Sequence, residues 1–143
     1  MESDPATTEA VTAAIRRLGL SARVRLAGPQ VGPDLDAHYA ASDIFVLASR
    51  YEGYGMVFAE AMAHGLPVVA SGAGAVRDTV PDAAGIVVPV DDRRALAAAL
   101  RRMIADPEFR RARAEGAWEA GQALPRWPDT AARPWTTTAL PPD

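Results

Sequence analysis

Short β-branched runs alternate along this chain with Ala-rich helical stretches. The pattern predicts strands at residues 24–27, 44–48, 67–70 and 86–88, and helices over 7–18, 35–41, 55–64, 75–80, 92–105 and 107–121. Gly19 stops the first helix, Gly65 followed by Pro67 stops the helix ending near His64, and Asp91-Asp92 caps the one after residue 91. Strands alternating with helices are the signature of parallel βαβ units, whose crossovers are right-handed. The expected fold is therefore α/β and Rossmann-like, an open parallel sheet with helices on both faces and ligands at the carboxyl ends of the strands. Residues 1–123 read as one domain. Residues 124–143, rich in proline and carrying Trp127 and Trp135, read as an arm.

Composition narrows the chemistry. The chain has 143 residues, 49% of them hydrophobic, yet no apolar run approaches the roughly 20 residues of a membrane-spanning helix. With 18 acids against 15 bases the net charge is -3 and no basic block exists, so nucleic acid is not an expected partner. No cysteine is present, which excludes thiolate catalysis and Cys-based zinc sites. No lysine is present either; all 15 cations are arginines, and Schiff-base chemistry is excluded with them. The opening residues show no export signal pattern, and a cytoplasmic location is expected.

The informative stretch runs from Ser49 to Ala70. Glu52-Gly53-Tyr54-Gly55 leads from a strand into a helix, and Gly53 and Gly55 permit a tight turn in which backbone N–H groups approach a ligand. A helix start also offers unpaired donors and a positive dipole end, a place for phosphate. Between Gly53 and Val76 the only formal charge is Glu60, on a helix with almost no polar face that should be largely buried. An unpaired carboxylate there is costly, whereas a ligand diol can donate to it twice. Glu60 follows Gly55 by five residues, roughly 7.5 Å along a helix axis, about the separation of a ribose from a pyrophosphate. A purely structural role is open to both acids. Glu60 could lie on a solvated face or pair with an arginine, and Glu52 could be an acid favoured by the helix dipole.

The string Ser49-x-x-Glu52-Gly53-Tyr54-Gly55-x-x-x-x-Glu60-Ala61-Met62-Ala63-x-Gly65-x-Pro67-Val68-Val69-Ala70 resembles the Glu-x7-Glu region of retaining GT-B glycosyltransferases of group 1, the family 4-like class. Residues 43–47 resemble the preceding strand, Gly85-Ile86-Val87-Val88-Pro89 with Asp91 the last strand and its cap, and residues 124–127 the entry to the terminal helix. The resemblance implies a partial C-terminal lobe of the GT-B fold that binds a nucleoside diphosphate sugar. Glu52 would be the catalytic-site carboxylate approaching the donor sugar. Glu60 would hold the ribose diol, and the main chain of Gly53, Tyr54, Gly55, Met56 and Val57 the diphosphate. No cofactor and no metal are implied. At Gly72-Ala73-Gly74 a second glycine turn is similar, but Arg77-Asp78 replaces the family's Pro-Glu pair, and Asp78 is expected to cap its helix instead.

The resemblance also implies that the acceptor lobe and the first two strands of the donor lobe, with an Arg/Lys pair for the diphosphate, lie outside this chain. Arg50 is the nearest cation to the phosphate position. In the implied order 3-2-1-4-5-6, residues 24–27 and 44–48 form strands that lack their usual neighbours. They should pair with each other or with a second copy of the chain, unless the missing N-terminal lobe covers them, and the isolated chain should not transfer sugar. Other candidates read as structural: His38 and His64 have no metal-ligand companions, Ser49 and Ser71 lack a nucleophile elbow, the arginines from Arg93 to Arg113 form a solvated face, and Tyr39 and Tyr51 pack. A non-catalytic nucleotide-binding module and a nucleotide-sugar epimerase remain as alternative functions for the same fold.

Overall fold

The computed structural model describes residues 4–50, 55–72 and 74–124. Glu52, Gly53 and Tyr54, with Tyr51 and the arm carrying Trp127 and Trp135, lie outside the described residues. The elements run α1 (Pro5–Arg17), α2 (Pro33–Ala40), β1 (Phe45–Ala48), α3 (Met56–Ala63), β2 (Val68–Ser71), α4 (Ala75–Thr79), β3 (Gly85–Val88), α5 (Arg93–Ala105) and α6 (Pro107–Ala123). The chain divides into two compact units, Met1–Asp36 and Ala37–Asp143, with the boundary inside α2.

In the first unit Asp4 caps α1. Its carboxylate accepts from the Ala6 and Thr7 N–H groups at 3.2 Å and from Thr7 Oγ1 at 2.6 Å. The Thr7 hydroxyl and then those two amides hold its pKa below the usual carboxylate value. The expected strand at 24–27 does not form: Val24 and Leu26 are 41% and 52% exposed and belong to no ladder. Local turns serve this backbone instead, with the Arg23 and Val24 N–H groups donating to Leu20 O and Gln30 Nε2 donating to Ala27 O. Ladder partners, not β-branched residues, make a strand, so the expected pairing of 24–27 as a strand falls with the strand itself.

The second unit holds the sheet, all parallel, in the order β1-β2-β3, with Phe45 opposite Val68 and Val68 opposite Gly85. Helices cover both faces. On one, Phe58 and Met62 of α3, Val76 of α4, Val80 just beyond it and Ala117 of α6 pack on Val68 and Ala70. On the other, Ala99 and Met103 of α5 pack on Val69 and Val88, with Phe109 of α6 against them. The alternation along β2 thus feeds two cores, and all four of its residues are buried. β1 stands at the sheet edge with Val46 43% exposed.

α3 and α6 pack so closely that a methyl group on Gly121 would stand 2.6 Å from the backbone of Met62 and Ala63. Backbone cannot rotate aside as a side chain can, so Gly121→Ala is expected to cost about 1–3 kcal/mol. A urea midpoint unchanged from the wild type would contradict this packing.

Candidate functional site

Three helices start on an aspartate whose carboxylate accepts a backbone N–H: Asp4 for α1, Asp92 for α5 (Ala95 N, 2.9 Å) and Asp106 for α6 (Phe109 N, 2.9 Å). α3 and α4 instead start on glycines, Gly55 and Gly74, with no side-chain cap. The expected capping of α4 by Asp78 is therefore not what the fold uses: Asp78 lies within that short helix, where its N–H donates to Gly74 O. α3 follows the carboxyl end of β1, so its amino end opens at the edge where parallel sheets hold ligands. Gly55 has φ 64°, and its carbonyl accepts from Phe58 and Ala59. The first N–H groups of a helix have no partner within it, and at an uncapped end they can serve an anion.

Glu60 lies further along the same helix. Contrary to the expectation of burial, α3 is covered on one side only. Phe58, Ala61 and Met62 face the core, while Met56, Glu60 and Ala63 are exposed and Ala59 is half-buried. Burial follows from which layers are present, and along this stripe at i, i+3, i+4 and i+7 Ala59 is half-covered while Met56, Glu60 and Ala63 stay exposed. Glu60 Oε2 accepts a hydrogen bond from Tyr39 Oη at 3.2 Å. Tyr39, expected to be a packing residue, is both: buried, its ring stacks on His64 at 5.0 Å and meets Phe45 at 6.1 Å. No hydrophobic period marks it, because its partner lies 21 residues away.

Across the carboxyl edge, a cleft of about 250 Å³ is lined by Ser49, Arg50, Ser71, Asp91, Arg93 and Leu96. Ser71 Oγ donates to Ser49 O at 3.2 Å, joining the ends of β1 and β2. Arg50, the expected phosphate candidate, pairs through Nε with Asp91 Oδ1 at 2.9 Å. Both side chains are exposed, 81% and 64%, so the pair is worth at most about 1 kcal/mol. Asp91 itself sits at φ 62°, a turn geometry its sequence context did not announce.

The arginines from Arg93 to Arg113 are more than a solvated face. Arg110 Nη1 donates to the carbonyls of Met103 and Ile104 near the end of α5, and the Arg102 and Arg113 guanidinium groups lie 3.8 and 4.5 Å from the Phe109 ring centroid. His64 is the C-cap of α3, and His38 lies in the last turn of α2. Among the described residues no three His, Asp or Glu side chains are grouped as metal ligands would be, and no helix is long and apolar enough to cross a membrane.

Comparison with known proteins gives this geometry a context. The sequence pattern of the family described as glycosyl transferases group 1 matches residues 3–106. D-inositol 3-phosphate glycosyltransferase of Salinispora tropica is 41% identical over 101 residues, which is 70% of this chain and 21% of that protein. The chain spans only 21–27% of the length of such curated relatives. Among solved structures, sucrose-phosphate synthase from Thermosynechococcus elongatus superposes with a TM-score of 0.79 at 37% identity, covering 91% of this chain and 33% of that one. HepE of Anabaena, solved in complex with UDP-glucose, superposes with a TM-score of 0.73 at 29% identity, covering 80% of this chain and 32% of its own.

Proposed function

This chain belongs to the glycosyl transferases group 1 family, and we propose that it forms the donor-binding part of a retaining glycosyltransferase that moves a sugar from a nucleoside diphosphate sugar to an acceptor. The observation that carries this reading is the uncapped start of α3 at the carboxyl edge, with the exposed Glu60 carboxylate further along the same helix. Backbone amides at Gly55, Met56 and Val57, continued by those of Gly53 and Tyr54, take the diphosphate. Glu60 accepts the two ribose hydroxyls, and Glu52 approaches the donor sugar. Partial coverage of the relatives supports an acceptor lobe supplied from outside these residues, either an N-terminal lobe or a second copy meeting the open edge of β1. No cofactor or metal enters this reading. The departing diphosphate itself takes the acceptor's proton, steadied by oriented amides, and the reaction is assigned to the cytoplasm.

UDP is the test probe, since a structural neighbour was solved with UDP-glucose. Titration calorimetry should show that Glu60→Gln weakens UDP binding by about 1.5–3 kcal/mol, the worth of hydrogen bonds to a charged group. Glu52→Gln should leave UDP affinity nearly intact and lower donor turnover in an enzyme that includes the acceptor lobe. The opposite pattern, affinity lost with Glu52→Gln and kept with Glu60→Gln, sinks the assignment.

A further inference from the structure

Glu60 is an exposed carboxylate on a flexible stem, and among the described residues its Oε2 accepts from Tyr39 Oη at 3.2 Å. That donor comes from α2, and it is held more firmly than the group it holds. Tyr39 is 9% exposed, its ring lying against His64 (centroids 5.0 Å apart, planes at 20°) and Phe45 (6.1 Å). His64 and Glu60 are one helical turn apart on α3, so the tyrosine ring rests on one while its hydroxyl reaches the other.

A phenol donating to an exposed carboxylate adds little to folding, because water serves that carboxylate as well. The bond does restrict where the carboxylate points. An ionised carboxylate has about four acceptor positions, so after Tyr39 takes one, both oxygens can still accept a hydroxyl. A glutamate already held in one orientation loses less freedom when a ligand arrives than one sampling all its rotamers.

We infer that Tyr39 is a positioning residue that orients Glu60 for a vicinal diol, and so sets the preference of this site for a ribonucleotide over a nucleotide lacking the ribose hydroxyls. The inference rests on the donor-binding role given to Glu60 above. In this role Tyr39 acts on the ligand through the carboxylate.

The test is calorimetric titration of the full chain with UDP and with 2′,3′-dideoxyuridine diphosphate. The wild type should prefer UDP by about tenfold or more, the size expected for hydroxyls donating to a charged acceptor. In Tyr39→Phe, UDP should bind about fivefold more weakly, as for one net hydrogen bond, while the dideoxy probe stays within about twofold. Glu60→Gln should nearly abolish the preference, and adding Tyr39→Phe to it should change nothing further. Phenylalanine keeps the ring between Phe45 and His64, and a ratio of two affinities on one sample does not depend on the folded fraction. An equal loss for both probes in Tyr39→Phe, or an unchanged ratio, overturns the positioning role while leaving the donor-binding reading intact. So does an additive effect on top of Glu60→Gln. A wild type that binds UDP no better than the dideoxy probe, or binds neither, overturns the role of Glu60 first and this inference with it.

Discussion

Phe58→Ala is expected to lower the unfolding free energy by about 3–5 kcal/mol, the cost of removing a fully buried aromatic ring from a core that cannot collapse around the gap. Phe58 is 0% exposed and meets Phe45 of β1 edge-on, with centroids 6.0 Å apart and planes at 89°. It also belongs to the cluster that joins α3 to Val68 and Ala70 of β2, Val76 of α4 and Ala117 of α6. α3 has only eight residues, too few to persist without this anchorage. Against the 5–15 kcal/mol that typically separates native from unfolded domains, the loss is large. Urea denaturation followed by circular dichroism checks it, and a change below about 1 kcal/mol would mean that α3 is not docked through this ring.

The strand and helix pattern was legible wherever it reported a buried period. Residues 44–48, 67–70 and 86–88 appear as β1, β2 and β3 with shifts of a residue or so at their ends, because each is a near-continuous apolar run with a partner strand beside it, and β2 is covered on both faces. Asp92 was legible as a cap because its chemistry is local. Residues 24–27 carry the same kind of signal and make no strand, since a strand also needs a neighbour and the sequence pattern does not say whether one exists. The outward face of α3 escaped prediction for the related reason that alanine and methionine are compatible with either a core or a partly open surface.

The candidate site divides along the same line. A glycine before a helix and a lone carboxylate five residues on are local features, and the sequence shows both. What holds that carboxylate is not local: Tyr39 reaches Glu60 across 21 residues, and Arg50 reaches Asp91 across 41. The first pair depends on how α2 and α3 meet and the second on the loops after β1 and β3 sharing one edge of the sheet, which no spacing rule encodes. The site is thus an easily read scaffold whose tuning contacts come from elements distant in sequence.

Gly55→Ala is expected to strike both stability and binding, because two separate constraints meet at that residue. At φ 64° an L side chain adds about 1–2 kcal/mol of backbone strain. The added methyl would also stand 2.5 Å from Thr79 Oγ1 and 3.1 Å from both Thr79 Cβ and Cγ2. A change of rotamer can turn Oγ1 away but leaves Cβ at 3.1 Å, so the start of α3 must also shift by a few tenths of an ångström, and the combined loss is about 2–4 kcal/mol. The same movement would tilt the N–H groups of Met56 and Val57 away from the diphosphate position, so UDP affinity should fall even in the protein that remains folded. Gly55→Ala combined with Thr79→Ala separates the two constraints: relieving the side-chain contact should restore about half of the stability, while the strained backbone remains and binding recovers only in part. Denaturation and UDP titration on the same samples decide the matter. A single variant as stable as the wild type would remove the steric argument, and one that is destabilised but binds UDP normally would detach the start of α3 from the donor.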